Sequence, residues 1–144
     1  MNTSPRRRTV LLALAATLLL SACTGVGTKT DVLQRTLYAY SAAVRWNEGN
    51  IDNALTFVDP EYLETHPIKD LDRERFRQVQ ITGYYVKGSQ QVTETQYAQR
   101  VEIRLVNVHT QAERSIVDDQ VWRWDEKTEH WWLTTGLPRI AETR

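Results

Sequence analysis

The segment YAQRVEIRLVNV, Tyr97–Val108, alternates between apolar and polar residues. Successive side chains of an extended chain point to opposite faces, so the apolar residues here share one face and the charged residues share the other. The apolar set is Val101, Ile103 and Leu105, and the charged set is Arg100, Glu102 and Arg104. The pattern therefore predicts a β-strand with one face in a core and the other at least partly in water.

Three further strands are predicted around this segment. Val79–Lys87 is rich in Val, Ile, Thr and Tyr, and the Gly88-Ser89 pair that follows it is typical of a turn. Ser115–Trp124 and His130–Thr135 have similar composition and are separated by the polar residues 125–129. Because every connection is short, we expect the four strands to form an antiparallel meander.

The residues before Val79 follow the helical period instead, with apolar side chains recurring every three or four positions. The predicted helices are Asp31–Glu48, capped by Thr30 and stopped by Gly49; a shorter one capped by Asn50 that ends at Asp59-Pro60; and Asp70–Gln78. Tyr62 and Leu63 are expected to add one turn between the last two.

Helices first and strands after predict an α+β domain, in which N-terminal helices pack on a curved four-stranded antiparallel sheet. This order resembles the nuclear-transport-factor-2-like (NTF2-like, cystatin-like) superfamily of cone-shaped domains. The segments that carry the resemblance are Leu37–Trp46, Ala54–Pro60 and Trp122–Trp132. The resemblance implies a fold in which some members are isomerases or dehydratases that use the cone interior, and in which homodimers through the sheets are common.

No catalytic residues of that superfamily can be transferred to this chain one by one. The sequence also contains no GxSxG motif and no phosphate-binding glycine-rich loop. Since a fold alone does not make an enzyme, we predict no catalytic residue, no cofactor and no enzymatic activity.

The N-terminus has the layout of a bacterial export signal. Arg6, Arg7 and Arg8 precede an apolar run, Val10–Leu20, which is too short to span a bilayer. The four residues Leu20-Ser21-Ala22-Cys23 resemble a lipobox. The resemblance implies cleavage between Ala22 and Cys23 and acylation of Cys23, whereas an ordinary secretory signal with a chance cysteine is the alternative.

These motifs divide the chain into three parts. Residues 1–22 are the predicted lipoprotein signal peptide, residues 23–29 a lipidated tether, and residues 30–144 a single globular domain. Two or more acyl chains hold a protein on a membrane almost permanently. In Gram-negative lipoproteins an aspartate after the cysteine favours retention at the inner membrane; here Thr24 indicates the outer membrane, facing the periplasm.

Charge and cysteine content narrow the classes of partner. Three of the 18 basic residues and none of the 18 acidic residues lie in residues 1–22, so the mature chain carries a net charge of −3. This balance argues against a nucleic-acid partner, which needs a clustered basic surface. The only cysteine is Cys23, so its acylation leaves no disulfide.

Aromatic residues are concentrated in the last two strands. Trp122 and Trp124 share a face of the third strand, whereas Trp131 and Trp132 take opposite faces of the fourth. Two or three of these rings are expected to fill the space between sheet and helices. The alternative is a ligand or partner surface, which Tyr84, Tyr85 and Tyr97 could join.

The titratable residues show no metal-binding spacing. His66, His109 and His130 fall in predicted loops or at strand ends, so no metal site is predicted. Asp118 and Asp119 are adjacent and must point to opposite faces of a strand, which prevents them from acting as a pair. One of them is expected on the concave side; the alternatives there are a raised pKa or pairing with an arginine.

Two functions are therefore weighed from the sequence, and the first of them is the one that we predict. The first is a noncatalytic, lipid-anchored envelope protein that binds a protein, glycan or lipid partner near the membrane. The second is an NTF2-like small-molecule binder, or an enzyme of the isomerase or dehydratase type, that uses the cone interior. Exposure of Trp124 or Trp131 would favour the first, and a buried Asp118 or Asp119 that opens onto a cavity would favour the second.

Overall fold

A computed structural model of the chain describes residues 28–46, 48 and 50–140. The predicted signal peptide, Cys23 and residues 23–27 of the tether lie outside these residues. The helices are α1 (Lys29–Arg45), α2 (Asp52–Leu55), α3 (Pro60–Thr65) and α4 (Asp70–Arg77). The strands are β1 (Val79–Thr93), β2 (Gln96–Asn107), β3 (Glu113–Asp125) and β4 (His130–Leu133). Within the described part, no helix is long and apolar enough to cross a membrane.

The four strands form one antiparallel sheet in the order β1-β2-β3-β4. This confirms the predicted α+β class and the meander. In the centre of the sheet Val101 pairs with Asp118 and Gln99 with Gln120, which places all four residues on the same face.

The core lies between that face and the helices. Val101, Ile103 and Leu105 are buried, as the alternation in β2 predicted, and the buried side chains of α1 complete the same cluster. Those side chains are Leu33, Tyr40 and Val44. The face with Arg100, Glu102 and Arg104 is more open, and its charges pair across the strands at Lys87–Glu102 (3.1 Å) and Arg100–Asp119 (2.6 Å).

Helix α1 begins earlier and ends earlier than predicted. Its cap is Thr28, not Thr30: the Thr28 hydroxyl accepts a hydrogen bond from the Asp31 N–H, and the Asp31 carboxylate accepts one from the Thr28 N–H. This capping box satisfies two backbone donors at once, which a cap by Thr30 would not do. The helix ends at Arg45, three residues before the predicted end at Glu48.

The Asp59-Pro60 pair starts a helix as well as ending the segment before it. The Asp59 carboxylate accepts a hydrogen bond from the Glu61 N–H at 3.0 Å, and Pro60 occupies the first helical position, where no N–H is needed. The single turn expected at Tyr62 and Leu63 is therefore a helix, α3. The shorter helix before it ends at Leu55.

Strand β1 is longer than predicted, because Gly88-Ser89 does not form a turn. Gly88 pairs with Arg100 and Ser89 with Gln99 after a shift of register at Val86. The extra residue at this bulge is Lys87, which has no Cα partner on β2, and the ladder then continues to Thr93. The hairpin turn lies instead between Thr93 and Gln96.

Candidate functional site

Three of the four tryptophans in the last two strands lie in the core. Trp122 and Trp131 are fully buried and Trp124 is 7% exposed, so these rings fill space between the sheet and the helices. Trp122 packs edge-on against Tyr40 with ring centroids 5.1 Å apart, because the helix layer covers this end of the sheet. Trp132 is partly buried on the other face and packs against His130.

A cluster of polar side chains lies on the helix-facing side of the sheet. It consists of Tyr84 from β1, Gln99 from β2, and Asp118 and Gln120 from β3. We call these four residues the polar cluster. The Gln120 amide donates to Asp118 Oδ2 at 2.7 Å and to the Tyr84 hydroxyl at 2.9 Å, and its carbonyl oxygen accepts from Gln99 Nε2 at 2.7 Å. Gln120 therefore connects the other three.

Burial dominates the electrostatics of the polar cluster. It raises the pKa of Asp118 to about 6, although the hydrogen bond from Gln120 acts in the opposite direction. Burial likewise raises the pKa of Tyr84 well above its ordinary range, so the phenol keeps its proton near neutral pH. Asp118 can thus exchange a proton in a mildly acidic range while Tyr84 remains a hydrogen-bond donor.

Tyr40 of α1 faces the same region. Its ring packs against Trp122 and against Phe57, and its hydroxyl oxygen is buried with no hydrogen-bond partner among the described residues. Burial raises the pKa of Tyr40, and the nearby charge of Asp118 raises it further. A buried hydroxyl without a partner is costly and is characteristic of sites that bind a missing group.

Asp118 and Asp119 separate as the sequence predicts. Asp118 lies on the helix-facing side, whereas Asp119 is exposed on the other face and forms a two-point ion pair with Arg100 at 2.6 and 3.0 Å. That pairing lowers the pKa of Asp119. The carboxylate on the concave side is therefore Asp118, and of the alternatives weighed for that position the structure has the raised pKa.

The remaining predicted site residues do not join the polar cluster. Tyr85 is on the exposed face beneath the Arg104 guanidinium, 5.0 Å from its ring centre, and Tyr97 packs at the edge of the core opposite Trp122. His66 stacks on Tyr62, and His109 follows β2 in an exposed turn. The described residues contain no group of three or more His, Cys, Asp or Glu side chains arranged around a metal ion.

Gln99, Gln120 and Tyr40 were not predicted from the sequence as site residues. A signal for the glutamines exists: both occupy inward positions of strands whose other inward residues are mostly apolar. Polar residues at such positions need partners, and here they find each other. Tyr40 lies at an ordinary core spacing of α1, so no sequence pattern distinguishes its hydroxyl.

No protein-family model and no curated protein matches this chain in sequence. Among solved structures, an NTF-2 like protein of unknown function from Shewanella oneidensis matches 73% of this chain and 93% of its own, at 15% identity and a TM-score of 0.48. A SEC-C motif-containing protein from Psychrobacter arcticus matches 79% of this chain at 8% identity and a TM-score of 0.53, and the chain spans 63% of that protein. At these identities the likeness concerns the fold alone.

Proposed function

We propose that this chain is a lipid-anchored envelope protein whose domain binds a small molecule at the polar cluster. The observation that carries the proposal is Asp118. This carboxyl group is partly buried on the helix-facing side, and burial raises its pKa to about 6 although the Gln120 amide donates a hydrogen bond to it. Retaining such a group costs stability, and groups of this kind are concentrated at functional sites.

The chemistry of the ligand follows from the groups around Asp118. Asp118 accepts hydrogen bonds when ionised, and the Tyr40 hydroxyl provides a buried donor that lacks a partner among the described residues. The fully buried rings of Tyr40 and Trp122 pack edge to face beside them. We therefore propose a small polar molecule that donates to Asp118, accepts from Tyr40 and places an apolar part against the rings.

The proposed anchor rests on the sequence. Leu20-Ser21-Ala22-Cys23 has the residue types of a lipobox after a charged and an apolar region, and Thr28, where α1 is capped, follows Cys23 by only five positions. Acyl chains on Cys23 would keep the domain close to a membrane surface. The binding site would then sample molecules in the periplasm next to that membrane.

The binding proposal is tested by native mass spectrometry of the full chain extracted from membranes with a mild non-ionic detergent. The wild type is expected to carry a small molecule that Asp118→Asn loses. Asp119→Asn is the matched control, because it removes the neighbouring carboxylate on the opposite face and should retain the molecule. An equal bound mass in all three proteins, or none in the wild type, contradicts the proposal.

The anchor is tested separately by feeding cells a radiolabelled fatty acid and separating membranes from soluble protein. The wild type should carry label and sediment with membranes, whereas Cys23→Ser should carry no label and lose membrane attachment. Label retained by Cys23→Ser would show that another residue is acylated or that the label is nonspecific.

An assembly role is a second candidate because α1 exposes two large aromatic side chains. Tyr38 is 78% exposed and Trp46 is 72% exposed, with the Arg45 guanidinium 5.3 Å from the Trp46 ring centre. Trp, Tyr and Arg are the residues most enriched at protein–protein hot spots. A Tyr38→Ala/Trp46→Ala variant that no longer captures an envelope protein held by the wild type would support this role.

A further inference from the structure

A second site lies away from the polar cluster. A cavity of about 520 Å³ is lined by α3, α4, the link between them and residues 136–140, and it shares no residue with the polar cluster. Its volume is in the range of sites that hold one drug-sized ligand. Most of its wall is apolar, with the main contributions from Leu55, Tyr62, Leu63, Phe76, Leu137 and Ile140.

One wall of the cavity is fixed by close packing. Gly136 has a φ of +78°, and a β-carbon placed on it would come within 2.7 Å of the Tyr62 ring. Only glycine combines this backbone conformation with so close an approach. The imidazole of His66 also stacks on the Tyr62 ring, with centroids 4.4 Å apart. The packing of the chain itself therefore forms this wall of the cavity before any ligand binds.

The charges at the cavity are unbalanced. Lys69, Arg75 and Arg139 line it together with a single carboxylate, that of Asp72. Arg75 pairs with Asp72 at 3.2 Å, so those two charges compensate each other. Lys69 and Arg139, both exposed at the surface end of the cavity wall, leave a surplus of positive charge beside an apolar space.

From this combination we infer that the cavity binds a single-chain amphiphilic anion, a free fatty-acid-like carboxylate with an apolar tail. The tail occupies the apolar wall, and the carboxylate meets Lys69 and Arg139 at the surface. Apolar burial supplies affinity, and charge-assisted hydrogen bonds to the two cations supply the preference for an anion. A cavity of this volume favours one apolar chain over the two chains of a membrane lipid.

The test uses the full chain in phosphatidylcholine nanodiscs and a fatty acid with a photoreactive diazirine in its tail. After illumination the acid should label residues of the cavity wall, located by peptide mass spectrometry. The alcohol with the same tail should need about tenfold higher concentration for half-maximal labelling, since it lacks the charge. Lys69→Gln/Arg139→Gln should weaken labelling by the acid about tenfold and leave labelling by the alcohol unchanged.

The matched control is Arg35→Gln/Lys127→Gln, which removes the same charge from exposed positions outside the cavity. The acid should label this control variant to the same extent as the wild type. The inference is overturned if the acid labels other residues, if acid and alcohol label equally, or if both double variants weaken labelling equally. It is also overturned if a diazirine phosphatidylcholine labels the cavity as well as the acid does, because the occupant would then be a bilayer lipid.

Discussion

Asp118 is the residue whose chemistry depends most on its surroundings. Its folded-state pKa of about 6 exceeds the ordinary value, so the folded protein binds this proton more tightly than the unfolded chain does. The contribution of the Asp118 carboxyl group to the free energy of unfolding is fully present below pH 4. It declines as the pH rises to 6 and remains small above that pH. Asp118→Asn removes the titration and keeps an oxygen that can accept the hydrogen bond from Gln120.

We therefore expect Asp118→Asn to gain stability relative to the wild type by about 2–3 kcal/mol between pH 4 and pH 7. Urea unfolding at both pH values measures the difference. Asp119→Asn is the control, because the pKa of that exposed carboxyl is lowered by Arg100 and its loss should not stabilise the protein at neutral pH. A stability difference for Asp118→Asn that is the same at both pH values contradicts the burial of its charge.

Removal of the Tyr84 hydroxyl and removal of the Tyr40 hydroxyl should have different effects on the stability of the protein. Tyr84 accepts from Gln120 Nε2 at 2.9 Å, so Tyr84→Phe leaves a buried amide without that partner and should cost about 1–2 kcal/mol. The hydroxyl of Tyr40 has no partner among the described residues, so Tyr40→Phe should change stability by less than about 0.5 kcal/mol or increase it. Thermal unfolding of both variants provides the comparison, and a loss of more than 1 kcal/mol for Tyr40→Phe would reveal an overlooked partner.

At the scale of elements, Asp59 connects the helical layer to the sheet. Its carboxylate caps α3 at 3.0 Å and accepts from Arg123 of β3 at 2.7 Å, and its backbone N–H donates to the Leu133 carbonyl of β4 at 2.9 Å. One buried residue thus fixes the start of a helix against two strands.

Separate substitutions divide these roles. Asp59→Asn keeps an oxygen for the cap and loses the charge. Asp59→Ala loses both and leaves the Arg123 guanidinium without its carboxylate partner. We expect Asp59→Ala to cost about 2–4 kcal/mol of unfolding free energy in urea and Asp59→Asn clearly less. Arg100→Gln, which breaks an exposed pair, should cost less than about 1 kcal/mol. Equal losses for Asp59→Asn and Asp59→Ala would show that the cap contributes nothing.

The elements differ in how far the sequence determines them. Alternation predicted β2, because one buried face imposes a period of two, and β-favouring composition between turn residues predicted the other three strands. The predicted end of β1 was wrong, because Gly88 was interpreted as a turn residue. Gly88 directly follows a bulge and pairs with Arg100 of β2, so the strand continues through it. The helix α3 was reduced to a turn because Asp59-Pro60 was interpreted as a stop, although the same pair is a good cap and first residue.

For the whole molecule, the sequence determines which residues face inward but not which of them meet. By the period of two, Asp118 and Gln120 share the face of Trp122 and Trp124, so their inward position was within reach of the sequence. Their contact with Tyr84 depends on the register of three strands, and the approach of Tyr40 depends on how α1 lies across the sheet. Distances between elements of this kind have no counterpart in a local pattern.

The proposed position of the molecule in the envelope leads to the last prediction. Thr24 follows the proposed lipidated Cys23 and lies four residues before the cap of α1 at Thr28. Thr24→Asp should move the protein from the outer to the inner membrane, because an aspartate after the cysteine favours retention there. Separation of the two membranes on a density gradient measures the shift, with Thr24→Ser as the control that should stay in the outer membrane. If Thr24→Asp and Thr24→Ser are found in the same membrane, the sorting signal proposed for this chain is wrong, whereas binding at the polar cluster, which depends only on residues 28–140, is unaffected.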